Sequence, residues 1–115
     1  QIAELVNPMT LRNTCLNKCI TTLNEFGVTD TSDVPQLFDG VLKVQRAYPL
    51  AAAATVYIKL VRSGVGGGKR VRWPADSRVK LTDVANKFNT TMIAIRKTAH
   101  AYMRVNEGRQ LPVNG

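Results

Sequence analysis

Four consecutive alanines, Ala51 to Ala54, constrain the fold of this chain more than any other stretch. They lie in Leu50-Ala-Ala-Ala-Ala-Thr-Val-Tyr-Ile-Lys-Leu-Val-Arg62, directly after Pro49. Proline is at home in the first turn of a helix, where its missing N–H has no partner to lose. Alanine is the best helix former and carries nothing beyond Cβ. A helix that is small on every side lets its neighbours approach closely, so it belongs at the centre of a helical bundle. No stretch alternates apolar and polar residues over the length of a strand. The expected fold is therefore all-α, packed round residues 50–62. With 115 residues, 44% of them hydrophobic, one domain can bury its own core.

The segments before this hub read as two further helices. Gln1 to Val6 reads as the end of an apolar helix, so the chain is expected to be a piece of a longer factor. Asn7 is a competent N-cap and Pro8 a first-turn residue for a helix running to about Phe26. Its expected core face is Leu11, Cys15, Cys19, Ile20, Leu23 and Phe26, and Gly27 is its natural stop. After the turn-rich Thr29 to Asp33, Ser32 or Asp33 is expected to cap a helix beginning near Pro35, with Leu37, Val41 and Val44 on one side. Gly40 in its middle costs about 1 kcal/mol against alanine. Cys15 and Cys19, with only His100 elsewhere, do not make a four-ligand zinc site, so they are assigned to core packing. Two cysteines without a disulfide framework fit a reducing compartment.

Arg78 to Arg104, RVKLTDVANKFNTTMIAIRKTAHAYMR, reads as two helices joined by a tight turn. Leu81, Val84, Ala85 and Phe88 give the first helix a narrow apolar stripe. Asn89 suits the left-handed conformation of a sharp turn, and Asn89, Thr90 and Thr91 are all competent N-caps. Met92, Ile95, Ala99, Tyr102 and Met103 form the expected buried stripe of the second helix. Ile93, Arg96, Lys97, His100 and Arg104 form the opposite, basic stripe. Two short helices, a tight turn and a basic outer face have the shape of a helix-turn-helix.

The charge supports this reading by its position. Residues 69–115 hold ten Lys or Arg against three Asp or Glu, whereas residues 1–68 hold six against five. A one-sided basic balance points to a polyanion, nucleic acid before membrane. The loop 64–77 adds Lys69, Arg70, Arg72 and Trp73. Its glycines do not make a phosphate-binding loop, because the spacing is one residue short, Arg70 follows the lysine and a helix precedes. No run has the length of a membrane span, and no signal peptide is visible. One histidine, no paired carboxylates and no nucleophile beside a base argue against an enzyme, a cofactor, a metal or a small-molecule substrate.

AAAATVYI followed by LTDVANKFNTTMIAIRKTAHAYMR resembles the cyclin-like repeats of transcription factor IIB, most closely the second, C-terminal repeat. Val84-Ala85 matches the family's Ile-Ala step, Ile95-Arg96 its Ile-Arg step, and Arg104 lies near its later basic position. The resemblance covers residues 49–105 well and 7–27 weakly, and residues 28–48 and 64–77 are longer than the family's connections. It implies a five-helix cyclin-like bundle built round its third helix, ending in the helix-turn-helix. It also implies a nuclear initiation factor that binds promoter DNA and the TATA-binding protein and helps assemble the RNA polymerase II pre-initiation complex. The family's base-reading positions fall on Ile93 and Arg96. The expected DNA-binding set is Ile93, Arg96, Lys97, His100 and Arg104, with Lys87 and the loop residues Lys69, Arg70 and Arg72. The related polymerase III factor shares the architecture. A cyclin-type subunit that binds a kinase and a dimeric helix-turn-helix repressor are the rivals from other classes.

Overall fold

A computed structural model describes residues 8–62 and 81–106, and the expectations at Gln1 to Asn7, in the loop 64–77 and at Arg78 to Lys80 lie outside these. Among these residues five helices follow in order: α1 (Pro8–Glu25), α2 (Val34–Leu42), α3 (Tyr48–Arg62), α4 (Leu81–Lys87) and α5 (Met92–Asn106). Among the described residues there is no strand, and the fold is all-α.

The alanine helix is the hub. α3 touches each of the other four helices, and residues 51–58 and Leu60 are all buried. Its own side chains at 51–54 supply almost no volume, so the bulk of the core comes from neighbours: Leu23 of α1, Phe38 of α2 and Ile95 of α5, all fully buried. Polar groups taken into this core are satisfied locally, as burial requires. The Thr55 hydroxyl donates to the Ala51 carbonyl at 2.8 Å, and the Cys19 thiol to the Ala52 carbonyl at 3.3 Å. Burial pushes the Cys19 thiol far above its ordinary range, and nearby Cys15 adds to the effect. Both cysteines are buried and unpaired, which places them in the core as the spacing suggested.

α1 ends as its glycine dictates. Gly27 takes φ +93°, its N–H donates to the Asn24 carbonyl at 3.0 Å, and the Val28 N–H donates to the Leu23 carbonyl at 2.9 Å. This paired closure satisfies two orphan carbonyls, and buried Val28 packs in the same core as Leu23. The apolar stripe begins later than its periodicity suggests. Leu11 is 41% exposed and Cys15 is the first buried residue, so the first two turns of α1 extend past the core.

α2 departs from the sequence expectation in its cap. It begins at Val34 with Asp33 in the N-cap position, but neither Asp33 nor Ser32 caps it. The Asp33 carboxylate instead accepts from Lys59 of α3 at 2.8 Å, and the Ser32 hydroxyl bonds Asp30 at 3.0 Å. Asp33 has φ −93° and ψ −1°, helical backbone rather than the extended conformation from which a side chain reaches back to cap. Leu37 and Val41 are buried as expected and Val44 half-buried, with Val34 and Phe38 completing the face. Gly40 also finds its reason here. A Cβ at this position would lie 2.8 Å from Tyr102 Cε1, so the missing side chain lets α5 lay its tyrosine ring across α2.

Candidate functional site

The turn between α4 and α5 sets the direction of everything beyond it. Asn89 takes φ +54°, its N–H donates to the Asn86 carbonyl at 3.2 Å, and the Thr90 N–H donates to the Ala85 carbonyl at 2.9 Å. This is the closure seen at Gly27, made by an asparagine, whose short polar side chain tolerates the left-handed region. Thr91 then caps α5 by accepting the Ala94 N–H on its hydroxyl at 3.1 Å. Leu81, Val84, Ala85 and Phe88 are buried, which presses the short α4 onto the core. A helix–turn–helix therefore closes the described part of the chain, and its second helix lies against the hub.

The face that α5 turns outward is basic. Residues advance by about 100° per position on a helix, so Ile93, Lys97, His100 and Arg104 share one line and Arg96 lies at its edge. All five are exposed, Ile93 at 67%. α5 holds no Asp or Glu. Among the described residues, the side chains of Lys97, His100 and Arg104 have no hydrogen bond or ion pair. Elsewhere Arg12 is paired with Asp39 at 2.6 Å, Lys59 with Asp33 at 2.8 Å and Lys87 with Glu25 at 2.9 Å, while Lys43 and Arg46 beyond the end of α2 have no ion pair among the described residues. Lys18 lies over the Phe88 ring at 4.9 Å.

The expected site residues thus divide. Ile93, Lys97, His100 and Arg104 stand together, with Arg96 beside them. Lys87 is on α4 and engaged with Glu25 of α1. Lys69, Arg70 and Arg72 lie outside the described residues. The buried stripe opposite differs from the sequence reading at one position. Ile95 and Ala99 are buried and Tyr102 and Met103 half-buried, but Met92, the first residue of the helix, is 37% exposed beside the turn. Thr98 joins the buried side in its place.

Tyr57 of α3 is the residue the sequence reading left out of this site. It is 3% exposed and lies close enough to Arg96 to feel its charge. Burial raises its pKa above the ordinary phenol value, while the positive charge of Arg96 pulls the other way. Its only trace in the sequence was its place on the alanine helix, which gives no hint of a neighbour 39 positions later.

Other chemistry is sparse. A shallow depression of about 310 Å³ at the end of α2 is lined by Asp39, Leu42, Lys43, Arg46 and Tyr48, and the Asp39 carboxylate there is taken by Arg12. Among the described residues no three His, Cys, Asp or Glu side chains come together to hold a metal, and no helix is long and apolar enough to cross a membrane. No family model, no curated protein and no solved structure matches the chain, so the functional reading rests on its own residues.

Proposed function

We propose that this chain is a DNA-binding module of the factor IIB type, a cyclin-like helical repeat that grips promoter DNA with the outer face of α5. The observation that carries the reading is the row Lys97, His100 and Arg104, exposed, without partners among the described residues, on a helix with no acid. Cations left unneutralised among the described residues favour a polyanion, and a capped helix with an exposed basic side fits a DNA major groove. Ile93 in the first turn and Arg96 one turn on are where a recognition helix reaches base edges. Lys97 and Arg104 are suited to phosphates, with Lys69, Arg70 and Arg72 as further backbone contacts. The order of five helices round an alanine-rich third supports the factor IIB resemblance. With it come the TATA-binding protein, RNA polymerase II and the nucleus as proposed partners and place.

The test is duplex binding followed by fluorescence anisotropy at two salt concentrations, alone and beside a TATA-binding protein. The reading expects affinity that falls steeply with salt, with a slope that drops by about one for each phosphate contact removed. Absence of duplex binding at low salt in both settings would sink it. Capture of a kinase by the same chain would turn the assignment to a cyclin-type subunit.

A further inference from the structure

A second basic surface lies where α2 ends and α3 begins. Lys43 and Arg46 are both exposed, and their side chains have no ion pair or hydrogen bond among the described residues. With Asp39, Leu42 and Tyr48 they line the depression of about 310 Å³. Its one acid is already neutralised, since Arg12 Nε and Nη2 both donate to Asp39 Oδ1, at 3.0 and 2.6 Å. Two cations therefore remain beside Leu42 and Tyr48, which are half-buried and packed on the core. The backbone that carries them is held in place. The Lys43 and Val44 N–H groups donate to the Gly40 and Val41 carbonyls at 3.2 and 3.0 Å, and the Ala47 N–H donates to Gln45 Oε1 at 3.0 Å.

This surface is not part of the basic line on α5. Tyr102 lies about 170° round that helix from the centre of Ile93, Lys97, His100 and Arg104. Its ring crosses α2 at Gly40, so α2 packs on the back of α5, and Lys43 follows one turn after the crossing. The rest of the chain offers little to complement two cations. Residues 63–80 and 107–115 hold six Lys or Arg against two Asp or Glu, and residues 1–7 hold a single acid, Glu4. A second copy, at +8, is repelled. We propose that the depression between α2 and α3 docks an acidic segment of another protein, with carboxylates on Lys43 and Arg46 and an apolar side chain against Leu42 and Tyr48. Arginine takes a carboxylate on two parallel N–H groups, and an aromatic ring beside it supplies contact area at low entropic cost. The proposal goes beyond the reading of α5 and does not depend on it.

The experiment selects short random peptides by display on the 115-residue chain and follows a fluorescent copy of the most enriched one by anisotropy. The expected sequences carry at least two acids and an apolar residue. Replacing Lys43 and Arg46 together by alanine should weaken the peptide by about five- to tenfold, the effect of losing two partly exposed ion pairs. Lys97→Ala with Arg104→Ala should change it by less than about twofold. Both pairs are exposed, and melting curves establish that each variant is folded. In amide NMR spectra the bound peptide should shift residues 42–48 and leave residues 93–104 in place. Enrichment of peptides without acids overturns the proposal. So does an equal loss from the α5 pair, which would mean general attraction to a basic chain. If the Lys43 and Arg46 variant instead loses duplex affinity and keeps the peptide, the surface belongs to nucleic acid. A shift at residues 42–48 on Glu4→Gln in the chain alone gives it to the chain's own first residues, and the proposal falls.

Discussion

Gly40→Ala sets two effects of known size against each other. In the middle of an exposed helix the change is favourable, because alanine exceeds glycine in helix propensity by about 0.5–1 kcal/mol. In this chain the new Cβ would stand 2.8 Å from Tyr102 Cε1, 3.6 Å from its hydroxyl oxygen and 3.7 Å from Cδ1. The closest of these is well inside van der Waals contact, so the ring must move by more than half an ångström or α5 must lift from α2. Tyr102 is half-buried and engaged in an interaction of its own, which a moved ring gives up in part. Overpacking of this kind costs about 1–3 kcal/mol. The clash wins over the propensity gain, and the net loss is about 0.5–2 kcal/mol. For a chain of this size 1 kcal/mol is worth about 4 °C in melting temperature. A thermal melt should therefore show a fall of a few degrees, and the sign should reverse when Tyr102 is first cut back to alanine. A higher melting temperature for Gly40→Ala in the wild-type background would refute the close crossing of α2 and α5.

Other perturbations follow from the same contacts. Ala53→Leu places three extra carbons on a fully buried face of α3 and should cost about 1–3 kcal/mol by chemical denaturation. Thr91→Ala removes the cap of α5 and should cost about 0.5–2 kcal/mol, whereas Asn89→Gly, which suits φ +54°, should be close to neutral or slightly stabilising. Lys97→Ala and Arg104→Ala should weaken binding to all duplexes alike and flatten the salt slope, while Arg96→Ala should narrow the preference between duplexes, all by anisotropy. Stability should fall as pH rises past the ordinary thiol value of about 8.5. Burial raises the folded-state pKa of Cys19, Cys15 and Tyr57, so the unfolded chain loses these protons first and the stability present below that pH is lost. In denaturation across alkaline pH, Cys19→Ala should show the shallower decline.

Much of the architecture was legible because its signals are local. Four alanines, a glycine after Phe26 and an asparagine after Phe88 each dictate backbone geometry within a few residues, and each acts as its chemistry suggests. The outer face of α5 was legible for the same reason, since helical spacing alone groups Ile93, Lys97, His100 and Arg104. What escaped involves pairs far apart in the chain. Asp33 looked like a cap until Lys59, 26 residues on, took its carboxylate. Gly40 looked like a weak point until Tyr102 was seen to need the space. Lys87 looked available to DNA, but Glu25 holds it. Leu11 and Met92 follow the apolar period, yet each lies near a helix start, where periodicity gives no information on how far the packing extends.

The burial of residues 51–58 and Leu60 makes the middle of α3 a built-in gauge. Amides in the middle of this helix are hydrogen-bonded within it and covered by four others, so water reaches them only when the whole bundle opens. Their hydrogen-exchange rates then report the global unfolding free energy, while those near Asn89 and the first turns of α1 report local fraying. Any partner that binds only the folded chain must slow exchange at residues 55–60 by the full factor of its binding, even if it touches nothing but α5. A screen of nucleic acids or proteins can therefore be read at the buried helix, without a label on the surface that does the binding.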